Sequence, residues 1–147
     1  RLMENLDQFN LVRFERAQQR VYEQVCDELR GGMKHGHWMW FIFPQIQRLG
    51  SSPTAQKFAI SDLQEAQAFL SHAVLGSRLL ECSHLFLRIE GKTPNQILGF
   101  PDDLKLKSCM TLFERAKPLS VFSEVLETHY SGERCLSTQS ILEELTH

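Results

Sequence analysis

The sequence predicts a mainly α fold, a compact single-domain arrangement of about six to seven helices with one extended aromatic segment. Apolar residues recur every three or four positions over most of the chain, caps and glycines separate these stretches, and one aromatic run departs from the helical period. The chain has 147 residues, 42% of them hydrophobic and 23% charged, which suits one ordinary core. We therefore treat residues 1–147 as one domain and expect residues 1–6 to form a flexible N-terminus.

The N-terminal half begins with a helical pattern over residues 7–30, which predicts one long helix or two consecutive ones. Gly31 and Gly32 should end it, because glycine reaches the left-handed conformation without a steric penalty. Ser61 and Gln64 form a capping box that predicts a short amphipathic helix after them. A further, largely buried helix is predicted over residues 72–91.

The C-terminal half carries clear start and stop signals. Thr93, Pro94 and Gln96 combine an N-cap, a proline at the first helical position and a capping glutamine, and Gly99 should end this short turn. The remaining helices are predicted over residues 101–117, 120–130 and 137–145, the last two each beginning at Ser or Thr.

Residues 35–45 are the one segment without helical spacing, and a turn over residues 50–53 follows them. Their aromatic and β-branched residues suit a buried strand. However, no second run of similar character exists to pair with them, and a lone strand would leave its backbone groups unsatisfied. We expect an extended or single-turn segment that crosses a helical core.

This aromatic segment is the first candidate site. It contains both tryptophans of the chain, Trp38 and Trp40, between the polar residues His37 and Gln45. Aromatic rings with polar neighbours are typical of a pocket for a flat ring, in which stacking supplies affinity and the polar groups fix orientation. The alternative is that the run is plain hydrophobic core.

The predicted helix over residues 101–117 is the second candidate site. Its first turn carries Asp102 and Asp103, and Lys105, Lys107, Ser108 and Thr111 follow. A carboxylate base at a helix start with cations and hydroxyls one turn later suits a substrate that carries phosphate or ribose. The alternative is a capped helix with a surface ion pair.

Other classes of function have weaker signals. His35 and His37 are only two potential ligands, so we expect no metal. No cofactor is expected either, because the phosphate-binding glycine motifs are absent from the sequence. A net charge of -2 makes nucleic acid an unlikely partner, and no apolar run approaches the about 20 residues that cross a bilayer. The four cysteines contain no C-x-x-C pair, which favours a reduced, cytoplasmic protein.

Three segments together resemble a known family. Residues 37–45, the Leu75-Gly76-x-Arg78-Leu79 stretch and residues 102–113 look like the domain of unknown function 1810 family over nearly the whole chain. The resemblance implies a bacterial, compact, mainly helical single domain without a settled activity. Members are sometimes labelled calpastatin, although nothing in this sequence is inhibitor-like or disordered.

A second resemblance is more distant. Residues 14–18, then Ser61, Glu65 and Ala66, then Met110 and Phe113 are similar in order to the YbiA-like (NADAR) N-glycosidases, helical enzymes that act on ADP-ribose-type nucleotides. The catalytic glutamate of that family corresponds to Val12 here. Glu15 lies one helical turn later, and the resemblance implies that it faces the same cavity.

These observations predict a small hydrolase, N-glycosidase-like, that acts on a nucleotide or ADP-ribose-type small molecule with water as the second substrate. Asp103 or Glu15 would activate the water, and His37 is the third catalytic candidate. The predicted ligand-binding residues are Trp38 and Trp40 for stacking, Gln45 for orientation, Arg13 and Lys105 for phosphate, and Gln18, Asp102, Lys107, Ser108 and Thr111 around them. The alternative is a non-catalytic ligand- or protein-binding module in which the tryptophans form a hot spot. The oligomeric state stays open.

Overall fold

The structure is a computed structural model that describes residues 6–146, and these residues form ten helices around one hydrophobic core. The helices are α1 (Val12–Gln19), α2 (Tyr22–Gly31), α3 (Met39–Ile42), α4 (Pro53–Lys57), α5 (Leu63–Ser71), α6 (Ala73–Leu87), α7 (Pro94–Leu98), α8 (Asp102–Ala116), α9 (Val121–His129) and α10 (Leu136–Leu145). The mainly α class is confirmed. The expectation of a flexible N-terminus falls on residues outside the described range, except for Leu6, which is exposed.

The predicted count of six to seven helices is wrong, because three helical units were merged or missed. Residues 7–30 form two helices, the second of the alternatives left open. The aromatic segment contains the single turn α3, and the predicted turn over residues 50–53 instead starts the short helix α4. Ser52 caps α4 by accepting the Ala55 N–H at 3.1 Å, and Pro53 occupies its first turn.

Most predicted helix ends are confirmed. Thr93 and Gln96 form the capping box of α7, and Gly32 ends α2 with a φ of 74°. The cap of α5 is one residue later than predicted. Asp62 accepts the Glu65 N–H at 2.8 Å, and the Glu65 side chain turns back to bind Ser61.

Two other predicted helix limits differ from those in the structure. The helix predicted to reach residue 91 ends at Leu87, and α10 begins after Cys135 rather than after Ser or Thr.

A row of phenylalanine rings runs through the core and joins four helices. The ring centroids of Phe14 and Phe69 are 5.1 Å apart, those of Phe69 and Phe113 are 5.5 Å apart, and those of Phe113 and Phe122 are 5.8 Å apart. These rings come from α1, α5, α8 and α9, so each helix contributes to a common apolar interior. α6 packs against α2, α5 and α9, while α8 packs against α5, α7, α9 and α10.

The stretch after α3 is extended and pairs with the residue that precedes α5. Ile46 and Ile60 form an isolated parallel bridge, in which the Ile60 N–H donates to Gln45 O at 2.8 Å and the Gln47 N–H donates to Ile60 O at 2.9 Å. The aromatic segment thus combines the two expected alternatives, since the single turn α3 is followed by an extended stretch. The sequence did not reveal Ile60 as the partner of this stretch, because a single bridge requires no alternation of apolar and polar residues.

Arg13 on α1 holds the residues before this bridge in place by hydrogen bonds. Its guanidinium donates to the carbonyl oxygens of Lys57 and Ala59 at 2.6 and 2.9 Å and to Glu65 Oε2 at 2.9 Å, and its remaining amino group binds Phe9 O and Asn10 O. All of its donors thus have acceptors within the fold.

None of the helices in residues 6–146 has both the length and the apolar character that a bilayer span requires.

Gly76 is expected to tolerate no side chain. It lies where α6 meets the end of α5, and a Cβ there would be 2.1 Å from the Leu70 carbonyl oxygen, a backbone atom that cannot rotate away. Gly76→Ala should destabilise the protein by about 2–4 kcal/mol and lower its melting midpoint by roughly 5–15 °C. Gly31→Ala is the matched control, because nothing lies within 4 Å of its Cβ position. Equal midpoints for the two variants would contradict this account of the α5–α6 contact.

Candidate functional site

Two distant parts of the chain meet at the start of α8 in a cluster of charged and aromatic side chains. Lys34 Nζ lies 2.8 Å from Asp102 Oδ2, and Lys105 Nζ lies 3.0 Å from Asp102 Oδ1. Lys105 Nζ also lies 4.0 Å from the ring centroid of Trp40, and Lys34 Nζ lies 5.3 Å from that of Trp38. These five residues are called the lysine–tryptophan site below.

Local structure brings the members of this site to one place. α2 ends at Gly32, and two residues later the Lys34 N–H donates to Ile97 O at 2.8 Å, which ties this segment to α7. Trp40 lies on the turn α3 and packs against Gly50, where a Cβ would come within 3.0 Å of the indole Cη2. The backbone at Lys34 and the ring of Trp40 are therefore both held in position.

The two lysines and Asp102 together carry a net positive charge. Burial raises the pKa of the Asp102 carboxyl, but hydrogen bonds and charges from Lys34 and Lys105 outweigh this effect and lower the pKa. Asp102 is therefore ionised at neutral pH and balances one of the two ammonium groups. The positive end of the α8 dipole lies at the same place and adds to the remaining charge.

Trp38 anchors the site from within the core. Its side chain is 1% exposed, and its indole N–H donates to Glu28 Oε1 at 2.9 Å. The same oxygen accepts the N–H groups of His35 and Gly36 at 2.8 and 3.0 Å. Burial raises the pKa of Glu28, but these hydrogen bonds outweigh it and lower the pKa to about 2.

The tryptophans do not form an exposed pair in this structure. Trp38 is enclosed, whereas Trp40 is half-buried and has Lys105 over its ring. Trp40 is thus the tryptophan whose surface a ligand or a partner can reach.

Gln18 and Arg13, two predicted ligand residues, have their polar groups engaged within the fold. Gln18 is buried, its Nε2 donates to Phe41 O at 2.8 Å, and its Oε1 accepts from Arg78 at 3.3 Å. Arg13 has the acceptors described above. These two side chains position the aromatic segment and residues 57–59. Arg13 has no donor left for a phosphate, and Gln18 is enclosed in the core.

The later residues of the α8 motif face the segment that leads into α10. Lys107 Nζ lies 3.0 Å from Glu133 Oε1, and the buried Ser108 and Thr138 hydroxyls are 2.7 Å apart. The Thr111 hydroxyl donates to the Lys107 carbonyl at 2.8 Å and accepts the N–H of Cys135, the residue before α10, at 2.9 Å. These contacts attach α10 to α8.

The three predicted catalytic residues have different surroundings. Glu15 Oε1 lies 3.2 Å from His72 Nε2, and Asp103 Oδ2 accepts from Asn95 at 3.4 Å. His37 is exposed. His37 and Asp103 are each adjacent in the chain to a member of the lysine–tryptophan site, His37 to Trp38 and Asp103 to Asp102.

Across residues 6–146, no three His, Cys, Asp or Glu side chains come together in a way that could hold a metal ion.

Comparison with known proteins places the chain in a family. The family model described as "Protein of unknown function (DUF1810)" matches residues 8–142. The chain belongs to the DUF1810 family.

A solved structure agrees with this assignment. The crystal structure of the conserved hypothetical protein Rv1873 from Mycobacterium tuberculosis, at 1.38 Å, superposes on the DUF1810 chain with a TM-score of 0.92 and 49% identity, over 93% of this chain and 99% of that one. A comparison with functionally curated proteins finds no match. The resemblance to DUF1810 is thus confirmed, whereas the similarity to N-glycosidases and the calpastatin label are not.

In this DUF1810 chain the two longest of the resembling segments meet at the lysine–tryptophan site. Sequence reasoning identified Trp38, Trp40, Asp102 and Lys105. It missed Lys34 and also Glu28, which binds the Trp38 indole. The one sequence signal for Lys34 as a site residue is its position directly before the aromatic segment. No local pattern pairs it with Asp102 far along the chain.

Glu28 should make the stability of the DUF1810 chain depend on pH. Its pKa is about 2 in the folded protein against about 4.3 in an unfolded chain. Its contribution is therefore fully present above about pH 5 and is lost as the pH falls toward 2. Glu28→Gln should lower the free energy of unfolding by about 1–3 kcal/mol at pH 7, and the difference from wild type should shrink in acid.

Denaturant unfolding at several pH values between 7 and 2 measures this difference. Glu23→Gln, an exposed glutamate on the same helix, is the control and should follow the wild type. A Glu28→Gln deficit that stays constant between pH 7 and pH 2 would count against the assigned role.

Proposed function

We propose that the protein binds a nucleotide-like small molecule at the lysine–tryptophan site, with an anionic group on the lysines and a flat ring on Trp40. The observation that carries the proposal is the position of the Lys105 ammonium group, which contacts Asp102 and the face of Trp40 together. A cation beside an aromatic face suits a ligand that joins a phosphate to a ring.

Charge and hydrogen-bonding capacity support an anionic ligand. An ammonium group has three N–H donors, and among the described residues Asp102 is the carboxylate that pairs with Lys34 and with Lys105. Lys105, whose side chain is 18% exposed, therefore has donors left for phosphate oxygens, and the more enclosed Lys34 adds its positive charge. The net positive charge and the start of α8 favour the same sign of ligand.

The shape of the surface supports stacking at the side of Trp40. Trp40 and Gln45 line a crevice of only about 10 Å³, which is too small to enclose a ring. A base would therefore lie against the exposed part of the indole, and Gln45, which is buried, would have little contact with it. Base–aromatic stacking of this kind contributes about 1–3 kcal/mol.

The binding proposal predicts that Lys105→Met weakens nucleotide binding by about tenfold or more, because it removes a charge-assisted hydrogen bond worth about 1.5–3 kcal/mol. The measurement is calorimetric titration of the purified chain with AMP, ADP, ADP-ribose and NAD, with inorganic phosphate as a ring-free probe. Lys117→Met, at the opposite end of α8 and exposed, is the matched control. Binding of ADP-ribose should also weaken as salt is raised.

Tryptophan fluorescence separates the two parts of the ligand. Trp38 and Trp40 are the two tryptophans of the chain, so Trp40→Phe leaves the buried one alone. A stacked base should quench the wild type, and this response should disappear in Trp40→Phe. If Lys105→Met and Lys117→Met bind every probe equally, or no probe binds, the proposed site is wrong.

Hydrolysis of an N-glycosidic bond in that ligand is the second candidate function. It is favoured by the position of Asp103, a half-exposed carboxylate next in the chain to Asp102 and oriented by Asn95. In this mechanism Asp103 takes a proton from a water that attacks the sugar carbon, and the base departs as the bond breaks.

The hydrolase proposal predicts release of free base from NAD or ADP-ribose, measured by chromatography. Asp103→Asn should lower turnover by roughly 100-fold or more while leaving ligand affinity within a few-fold of wild type. Asp27→Asn, an exposed aspartate on α2, should retain turnover. Binding without any release of base by the wild type would leave a non-catalytic binding protein.

A further inference from the structure

Two cysteines, a tyrosine and a glutamate meet where α2 packs against α6, apart from the residues that the proposed function uses. Cys82 Sγ lies 3.9 Å from the Tyr22 hydroxyl, and this hydroxyl donates a hydrogen bond to Glu81. Cys26 follows Tyr22 by one turn of α2, so the two lie on one face of that helix, and Cys26 lines the same groove as Tyr22 and Glu81, the chain neighbour of Cys82. Both cysteines are free thiols, so the helix contact contains a dithiol.

A small solute can reach one of these thiols. Cys26 is only 5% exposed, but it forms part of the wall of a groove of about 460 Å³ together with Tyr22, Arg30 and Glu81. Cys82 is fully buried. The groove therefore gives access to Cys26 and not to its neighbour.

The two thiols differ in acidity. A hydrogen bond from Cys82 outweighs burial and lowers the pKa of Cys26 to about 7. The same hydrogen bond, together with burial, raises the pKa of Cys82. Near neutral pH Cys26 thus carries thiolate character, the form that acts as a nucleophile, while Cys82 keeps its proton.

We propose that Cys26 and Cys82 are a peroxide-reactive pair that oxidises reversibly to a disulfide joining α2 to α6. The Cys26 thiolate attacks one oxygen of hydrogen peroxide, the O–O bond breaks, and the departing hydroxide takes up a proton to form water. Cys26 is then a sulfenic acid.

The second step uses the buried thiol. Cys82 attacks the sulfur of Cys26, the S–S bond forms as the S–O bond breaks, and the hydroxyl group leaves with the Cys82 proton as water. Two thiols and one peroxide give one disulfide and two waters. Oxidation of Cys26 also removes its negative charge, which makes loss of the Cys82 proton easier.

The other two cysteines provide internal comparisons. Cys109 is fully buried, and burial raises the pKa of its thiol, so it should be inert. Cys135 is half-buried and thus more exposed than Cys26. If exposure alone governed reactivity, Cys135 would react first, whereas the proposal requires Cys26 to react first.

The test treats the reduced, intact chain with hydrogen peroxide in small molar excess, alkylates the remaining thiols and maps the peptides by mass spectrometry. The expected result is the loss of two of the four free thiols, a linked peptide that contains Cys26 and Cys82, and full reversal by dithiothreitol. Cys135→Ala should form the same link. In Cys82→Ala, Cys26 should stop at the sulfenic acid, which dimedone traps.

Two results would overturn the proposal. In one, Cys26 and Cys82 both remain alkylatable after Cys135 has been oxidised. In the other, Cys26 is oxidised in the wild type without any link to Cys82. Both are read on the wild-type chain, so the test does not depend on the folding of a variant.

Discussion

Arg13 and Glu65 form a largely buried ion pair that provides hydrogen-bond partners to a part of the chain without regular structure. The guanidinium binds the carbonyl oxygens of Lys57 and Ala59, and the carboxylate accepts the N–H of Ser61. Backbone groups removed from water need such partners, and a buried charge is costly unless it is paired and hydrogen-bonded. Here both needs are met by the same contacts, which hold residues 57–61 between α1 and α5.

The position of the candidate site depends on that arrangement. Residues 57–61 include Ile60, whose bridge to Ile46 fixes the stretch that follows α3. Gln18 binds the Phe41 carbonyl, and Glu28 binds the Trp38 indole. Trp40 is therefore presented on a segment that is fixed at both ends. A surface that is already in place can bind a ligand without the cost of ordering it.

The contrast between Arg13 and Lys105 shows how far residue type predicts function. Both were expected to hold phosphate, because both are cations in or directly beside segments that resemble known families. In the fold, every donor of Arg13 has an acceptor, whereas Lys105 has donors left beside a half-exposed ring. The hydroxyls of Ser108 and Thr111 are, like the donors of Arg13, already used within the fold, because they attach α10 to α8. Residue type gives the chemistry that is available, and the contacts decide whether it is already used.

The sequence by itself determined the helical class and most helix limits, because caps such as Thr93 and stops such as Gly32 act within a few residues of themselves. It also identified the two segments that form the candidate site. The tertiary structure alone decided which side chains meet. Lys34 reaches Asp102 only when α7 and α8 pack beside the end of α2, and Cys26 reaches Cys82 only when α2 packs on α6. Such pairs have no fixed spacing along the chain, so no periodicity or local motif predicts them.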